Sequence, residues 1–247
     1  MRSSWWQTVY DKQRVPGGTR LQLELQTPDL TVPGLLLLPD GAERVPAALL
    51  LHGVTSRADV MTNSAGMALL RRRVASLALD LPMHGSRGNP LELQSLGNPL
   101  EFVRLWRLAL DEAAVAVDFL GAHERVDATK IAIVGYSLGS FLSVTLAAKE
   151  PRLSRVLLAA GGDLPAELPF APLVRSFVDP LRDVRKLHGR PLLMVNGRFD
   201  PVIRADQAQR LFDAANEPKE LRWYEGGHSL PNAMTEEASD WLAASFA

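Results

Sequence analysis

The chain alternates between short, wholly apolar segments and longer amphipathic stretches from Pro46 onward, and this pattern constrains the fold most strongly. Strands buried on both faces of a parallel sheet have such continuous apolar character, and the amphipathic stretches between them are typical of helices that cover the sheet. The apolar segments are AALLL, VASLAL, KIAIVG, RVLLAA and PLLMVN. We therefore predict an α/β fold with a doubly wound, mostly parallel sheet.

The helix candidates lie between these segments. The clearest is Leu100 to Gly121, in which apolar residues recur at helical spacing and a glycine stands at the end. Further helices are predicted at Asn63 to Arg72, Leu138 to Lys149, Arg204 to Ala215 and Ala233 to Phe246. Each of them separates two strand candidates, as a doubly wound sheet requires.

The region before Pro46 has a different pattern. Thr19 to Gln26 alternates between apolar and polar residues, and Val32 to Leu38 is an apolar run. The breaker Thr27-Pro28-Asp29 separates the two segments. We predict an antiparallel hairpin at the start of the sheet.

The length of 247 residues suits a single α/β domain over residues 1–247. Only Asp163 to Arg190 breaks the alternation, with four prolines among apolar residues. Long loops in compact domains often act as lids, so we predict a short cap over the functional site there. An irregular crossover is the alternative.

Composition excludes several classes of function. The net charge is -1 and the basic residues are interspersed with acidic ones, so we expect neither nucleic acid nor a membrane as partner, but a small molecule. The absence of cysteine excludes a thiol nucleophile and thiolate metal sites. No apolar leader segment stands at the N-terminus, and we expect a cytoplasmic protein. The oligomeric state is left open.

The strongest chemical signal is KIAIVGYSLGS, in which an apolar strand runs through Gly-x-Ser-x-Gly into a helical pattern. A serine at a sharp strand-to-helix turn needs small neighbours two residues away on either side, and Gly135 and Gly139 meet that need. The following helix directs its N-terminus at the serine, where partial positive charge stabilises a developing oxyanion. We predict that Ser137 is a nucleophile.

A serine hydroxyl becomes a good nucleophile when a base takes its proton and a third group orients that base. Asp200 follows PLLMVN, and His228 lies in the glycine-rich stretch LRWYEGGHSLP, which gives the chain order Ser, Asp, His. Asp163 and Asp179 are alternative acids, because both follow the strand after the nucleophile helix. His84 is an alternative base, although it precedes the serine.

Two backbone amides are predicted to stabilise the oxyanion that forms when the serine attacks a carbonyl. The loop after AALLL supplies Val54, and the first residue of the nucleophile helix supplies Leu138. His52 is interpreted either as a residue that holds this loop by hydrogen bonds or as a substrate contact. His84 and Tyr136 are further candidates for contacting the substrate.

The segment ALDLPMHGSRG contains residue types that bind metals, namely Asp80 and His84. No third ligand has fitting spacing, so we predict no metal here and no cofactor for the protein. A loop that follows a parallel strand and is rich in proline and glycine is expected beside the active site.

Together the stretches LHGV, DLPMHGSRG, GYSLG, GRFDPV and GGHSLP resemble, in order and spacing, the α/β-hydrolase superfamily. The likeness covers nearly the whole chain from Pro46. Within the superfamily the sequence looks most like the small, single-domain serine esterases near dienelactone hydrolase and the prolyl-oligopeptidase-like hydrolases. The resemblance implies Ser137 as nucleophile, Asp200 as acid, His228 as base, and acyl transfer to water.

Three departures narrow the resemblance. Dienelactone hydrolase uses a cysteine where this chain has Ser137, which favours ordinary esters as substrates. The donor loop contains HGV rather than the HGGG of the hormone-sensitive-lipase group. The chain has no room for the large propeller of prolyl oligopeptidases.

These observations lead us to expect a carboxylesterase that cleaves small to medium acyl esters through an acyl-enzyme. A thioesterase, amidase or peptidase with the same triad is the second hypothesis. A binding protein that kept the fold without the chemistry is the third, although all three triad positions are filled. Candidates for an apolar substrate pocket, or for ordinary core, are Leu91, Leu93, Leu96, Phe170 and Leu173.

Overall fold

The computed structural model describes residues 5–90, 99–164 and 171–247, and one sheet runs through them. Its strands are β1 Trp6–Val15, β2 Gly18–Gln26, β3 Thr31–Pro39, β4 Val45–Leu51, β5 Ala75–Leu79, β6 Val126–Tyr136, β7 Leu153–Ala159, β8 Leu192–Gly197 and β9 Lys219–Tyr224. They lie in the order β1-β2-β3-β5-β4-β6-β7-β8-β9. The prediction of a doubly wound α/β sheet is confirmed.

The sheet changes from antiparallel to parallel along this order. Neighbouring strands are antiparallel from β1 through β2 and β3 to β5. From β5 through β4, β6, β7 and β8 to β9, neighbouring strands are parallel. The predicted hairpin is β2 and β3, with Gly18 opposite Pro39. Strand β1 was not predicted, because nearly all of its residues are exposed and it lacks a periodic apolar face.

The helices cover both faces of the sheet. They are α1 Ala58–Met61, α2 Met67–Arg71, α3 Pro99–Ala122, α4 Leu138–Ala147, α5 Ala171–Phe177, α6 Pro180–Val184, α7 Ala205–Ala214 and α8 Asn232–Ala244. Buried residues of α3, α4, α6 and α7 pack on one face. Those of α1, α2 and α8 pack on the other. No described helix is long and apolar enough to cross a membrane.

One predicted helix differs from the structure. Instead of a single helix from Asn63 to Arg72, a π-helical turn at Thr62–Gly66 joins α1 to α2. Met61 before the turn and Leu69 after it are both buried against the same sheet face. A π turn inserts an extra residue, which brings both apolar sets onto the sheet.

The segment predicted as a cap contains α5, α6 and a 3-10 turn at Arg185–Leu187. Residues 165–170 of this segment lie outside the described residues. Among the pocket candidates, Leu91, Leu93, Leu96 and Phe170 also lie outside them, as does the side chain of Leu173. The cap therefore stays a prediction.

Candidate active site

Ser137 lies at the turn between β6 and α4, near the middle of the parallel part of the sheet. Its backbone has φ 53 and ψ -114, a conformation that costs a non-glycine residue about 1–3 kcal/mol. A Cβ at Gly135 would stand 2.3 Å from the carbonyl oxygen of Gly139, and one at Gly139 would stand 2.0 Å from that of Leu51. The turn therefore requires glycine at both positions.

Asp200, His228 and Ser137 form a continuous hydrogen-bonded chain. The Asp200 side chain is fully buried, and its Oδ1 accepts hydrogen bonds from the amides of Val202 at 2.8 Å and Ile203 at 3.0 Å. Its Oδ2 lies 2.8 Å from His228 Nδ1. Because a carboxylate only accepts, Nδ1 carries the hydrogen, and Nε2 faces Ser137 Oγ at 3.0 Å.

The alternative acids have other partners. Asp163 is buried and pairs with Arg175 at 3.0 Å and with Arg210 at 3.2 Å. Asp179 caps helix α6 by accepting a hydrogen bond from the amide of Arg182 at 3.0 Å. Within the described part of the chain, Asp200 is the carboxylate that reaches His228.

Two tyrosine hydroxyls hold the loop that carries His228. Tyr136 donates to the His228 carbonyl oxygen at 2.6 Å, and Tyr224 donates to that of Gly227 at 2.8 Å. Burial raises the pKa of both phenols, that of Tyr224 to about 12, so both remain protonated donors at neutral pH. Tyr136, a candidate substrate contact, thus uses its hydroxyl to position the loop.

His52 is completely buried and has both ring nitrogens engaged. Its Nδ1 donates to the Gly53 carbonyl oxygen at 2.8 Å, and its Nε2 accepts from the Leu81 amide at 3.1 Å. Burial lowers the pKa of His52 to about 4, so the ring is neutral at pH 7. The geometry favours the structural interpretation of His52, because no ring nitrogen is left for a substrate.

The candidate oxyanion donors flank the serine. Val54 follows the His52-Gly53 turn, and Leu138 is the first residue of α4. Neither amide has a hydrogen-bond acceptor within residues 5–90, 99–164 and 171–247. Both are therefore available to an incoming oxyanion.

The loop from Asp80 to Gly88 is held by its own charged groups. The Asp80 carboxylate accepts hydrogen bonds from the amides of Ala58 at 2.8 Å and Ser86 at 3.2 Å. Among the described residues, no cluster of three or more His, Asp or Glu side chains could hold a metal ion. Arg87 makes two hydrogen bonds of 2.6 Å to Glu112 of α3 and one of 3.0 Å to the Asp80 carbonyl oxygen.

The Arg87–Glu112 ion pair was not predicted from the sequence. The Glu112 side chain is only 3% exposed. Burial raises the pKa of the Glu112 carboxyl group, and Arg87 opposes that change. A glutamate on the apolar stripe of a helix was the available signal, because a buried carboxylate requires a cationic partner.

An apolar pocket of about 410 Å³ adjoins Val54 and Leu138, and we call it the α3 pocket. Its other lining residues are Leu81, Pro82, His84, Phe102, Leu105, Trp106, Ala109 and Leu142. The sequence pattern identified the α3 residues only as a helix face that packs on the sheet. His84 lines this pocket, and its Nδ1 donates to the Pro82 carbonyl oxygen at 2.8 Å, whereas the imidazole that faces Ser137 Oγ is that of His228.

The strand order and a serine at a strained strand-to-helix turn define an α/β-hydrolase fold. The sequence profile of the alpha/beta hydrolase family matches residues 48–245. The chain therefore belongs to the alpha/beta hydrolase family.

Relatives span the chain to different extents. The Mycobacterium tuberculosis protein Rv2307c is 30% identical over 197 residues, which are 76% of this chain and 65% of that protein. The chain thus spans less than two thirds of that relative's length. Esterase YjfP of Escherichia coli is 25% identical over 218 residues, which are 79% of this chain and 86% of the esterase.

Solved structures share the fold. A cold-adapted esterase from an Arctic intertidal metagenomic library has a TM-score of 0.75 at 22% identity, over 94% of this chain and 96% of that one. The acetyl xylan esterase of Paenibacillus sp. R4 has a TM-score of 0.78 at 17% identity, over 99% of this chain and 89% of that one. At these identities the likeness establishes the fold alone.

Proposed function

We propose that the chain is a serine esterase that hydrolyses carboxylic esters through an acyl-enzyme on Ser137. The observation that carries the proposal is the hydrogen-bonded chain from the buried Asp200 carboxylate through His228 to Ser137 Oγ. Membership of the alpha/beta hydrolase family and the similarity to Esterase YjfP support it. Two available amides beside the serine supply the second requirement, stabilisation of the oxyanion.

In the proposed reaction, His228 Nε2 takes the proton of Ser137 as Oγ attacks the ester carbonyl carbon. The carbonyl oxygen becomes an oxyanion that accepts hydrogen bonds from the Val54 and Leu138 amides. The imidazolium, held by Asp200, gives its proton to the departing alkoxide. Water then attacks the acyl-enzyme with His228 as base, which releases the acid and restores the serine.

The test replaces the nucleophile and a second serine in parallel. Ser137→Ala should abolish hydrolysis of short p-nitrophenyl esters and labelling by a fluorophosphonate, with an unchanged circular dichroism spectrum. The control, Ser143→Ala, removes a buried hydroxyl of α4 that has no hydrogen-bond partner among the described residues, and should retain both activity and labelling. Hydrolysis or labelling that survives in Ser137→Ala would refute the proposal.

A further inference from the structure

We propose that the α3 pocket binds the acyl group of the substrate, and that this group is an apolar chain or ring larger than acetyl. This inference rests on the proposed esterase function. The pocket holds about 410 Å³ and adjoins the reaction centre, since Val54 and Leu138, which carry the two candidate donor amides, belong to its wall. Both amides would hold the substrate carbonyl oxygen, so the carbonyl carbon and its substituents lie at the pocket mouth.

The position of His228 decides which substituent enters the pocket. His228 must give a proton to the leaving oxygen, so the alcohol part of the ester lies on the side of its loop. None of the described residues that line the α3 pocket comes from that loop. A separate cavity of about 250 Å³, on the other sheet face, is lined by Ser229 and Leu230, which directly follow His228. The α3 pocket is therefore left for the acyl group.

The chemistry of the wall defines the acyl group. Leucine and aromatic side chains from α3, α4 and the Leu81 loop dominate the wall. Two side-chain nitrogens of the lining residues have no hydrogen-bond partner, namely Trp106 Nε1 and His84 Nε2. Both atoms are buried with almost no accessible surface, so neither is exposed to a group that enters the pocket. A polar acyl group would lose its water without gaining a partner there, whereas an apolar group gains from burial.

The expected effect of chain length follows from this burial. Each methylene that enters the pocket should raise kcat/KM about fourfold, which corresponds to ~0.8 kcal/mol. Acetyl esters leave the pocket empty and should be the poorest substrates of a homologous series. Aromatic acyl groups, such as benzoyl, should also be accepted.

Leu105 offers a test with a matched control on the same helix. Leu105 is partly buried and lines the pocket, whereas Leu108 is also partly buried but does not line it. Leu105→Trp should fill the pocket and remove the increase in kcat/KM from acetate to hexanoate esters. Leu108→Trp should preserve the wild-type dependence on acyl length.

The measurement uses two ester series at matched enzyme concentration. The first varies the acyl group of p-nitrophenyl esters from acetate to hexanoate, and the second varies the alcohol of acetate esters from methyl to naphthyl. A flat acyl series for the wild type, or an effect of Leu105→Trp confined to the alcohol series, would overturn the assignment. If Leu105→Trp does not fold, Leu105→Ala should shift the optimum to longer acyl groups, and an unshifted optimum would likewise overturn it.

The two proposals fail in distinguishable ways. Wild-type protein that hydrolyses p-nitrophenyl acetate without any acyl preference retains the proposed function and refutes the acyl pocket. Protein that hydrolyses no ester of either series, and takes no fluorophosphonate label, refutes both.

Discussion

Two loops flank Ser137, and they are held in different ways. The donor loop, residues 52–56, and the loop of residues 80–88 that is hydrogen-bonded to it are fixed by a buried neutral histidine, the Asp80 carboxylate and the Arg87–Glu112 ion pair. The histidine loop, residues 225–231, is held through backbone carbonyl oxygens by two tyrosine hydroxyls and the Phe199 amide, and the Arg198–Glu225 ion pair at its start is exposed.

The difference matches what each loop would have to do in the proposed reaction. Oxyanion donors must be fixed before charge develops, and strong buried interactions provide that rigidity. The histidine must gain and lose a proton in every cycle. Neutral anchors on its backbone hold its position, and Asp200 remains the charged group that orients its ring.

The largest expected effect on stability comes from breaking the Arg87–Glu112 ion pair, which supports the donor loop. Glu112→Gln removes the buried counterion of Arg87, whose side chain is 19% exposed, and should lower the free energy of unfolding by about 3 kcal/mol. Urea denaturation at neutral pH measures this loss. The variant should also lower kcat, because Arg87 holds the Asp80 carbonyl oxygen next to the Leu81 amide that fixes His52.

Glu101→Gln is the matched control on the same helix. Glu101 pairs with Arg104 at 3.4 Å, and the two side chains are 36% and 78% exposed. Exposed pairs contribute little, so this change should cost at most about 1 kcal/mol. Equal losses in the free energy of unfolding for Glu112→Gln and Glu101→Gln would contradict the prediction that the buried ion pair stabilises the fold more than the exposed one.

The comparison also explains how much the sequence predicted. The parallel strands and the loops at their ends could be identified because burial on both sheet faces leaves continuous apolar runs. The glycines around Ser137 indicated the sharp turn, because the backbone packs too closely there to leave space for a Cβ. The hairpin β2–β3 was visible from its alternation and its Pro-containing breaker. Strand β1 was not, because its stability depends on pairing with β2 rather than on an apolar face of its own.

The supporting interactions were harder to predict than the candidate triad. Asp200 and His228 each follow a parallel strand, and the ends of such strands meet at one sheet edge. Their positions along the chain were therefore enough to predict them as the acid and the base. Arg87 and Glu112 are 25 residues apart and meet only once α3 packs on the sheet. The α3 pocket was missed for a similar reason, since Phe102 and Trp106 have the same spacing whether they face the core or a cavity.

The next effect concerns pH and the buried histidine of the donor loop. The pKa of His52 falls from an ordinary 6.5 to about 4 in the folded protein, because burial disfavours the charged ring. Between these values the unfolded chain binds more protons, so stability falls with acidification. At pH 5 this single group should cost about 2 kcal/mol relative to pH 7, as measured by urea denaturation at both values.

His52→Asn provides the comparison, because its side-chain amide does not titrate. The variant should be less stable than the wild type at pH 7, and its loss between pH 7 and pH 5 should be about 2 kcal/mol smaller. The carboxylates contribute equally to both proteins and cancel in the difference. Identical losses in the two proteins would mean that His52 is protonated in the folded state.

The smallest expected effect is on the histidine loop. Tyr136→Phe and Tyr224→Phe each remove one neutral hydrogen bond to a backbone carbonyl oxygen, and each should lower the free energy of unfolding by about 1 kcal/mol. Tyr136→Phe should reduce kcat the more of the two, by no more than about tenfold, because its partner is the carbonyl of His228 itself. KM should stay near the wild-type value in both variants, since neither hydroxyl lies in the α3 pocket.

Steady-state kinetics on one p-nitrophenyl ester, together with urea denaturation, separates positioning from catalysis. A hydroxyl that only positions the loop changes kcat modestly and leaves the residual activity dependent on Ser137. If Tyr136→Phe instead lost as much activity as Ser137→Ala, the Tyr136 hydroxyl would have to act on the reacting atoms. The Tyr136 hydroxyl would then be as important for the histidine loop as the Arg87–Glu112 ion pair is for the donor loop. The contrast between the two loops would no longer hold.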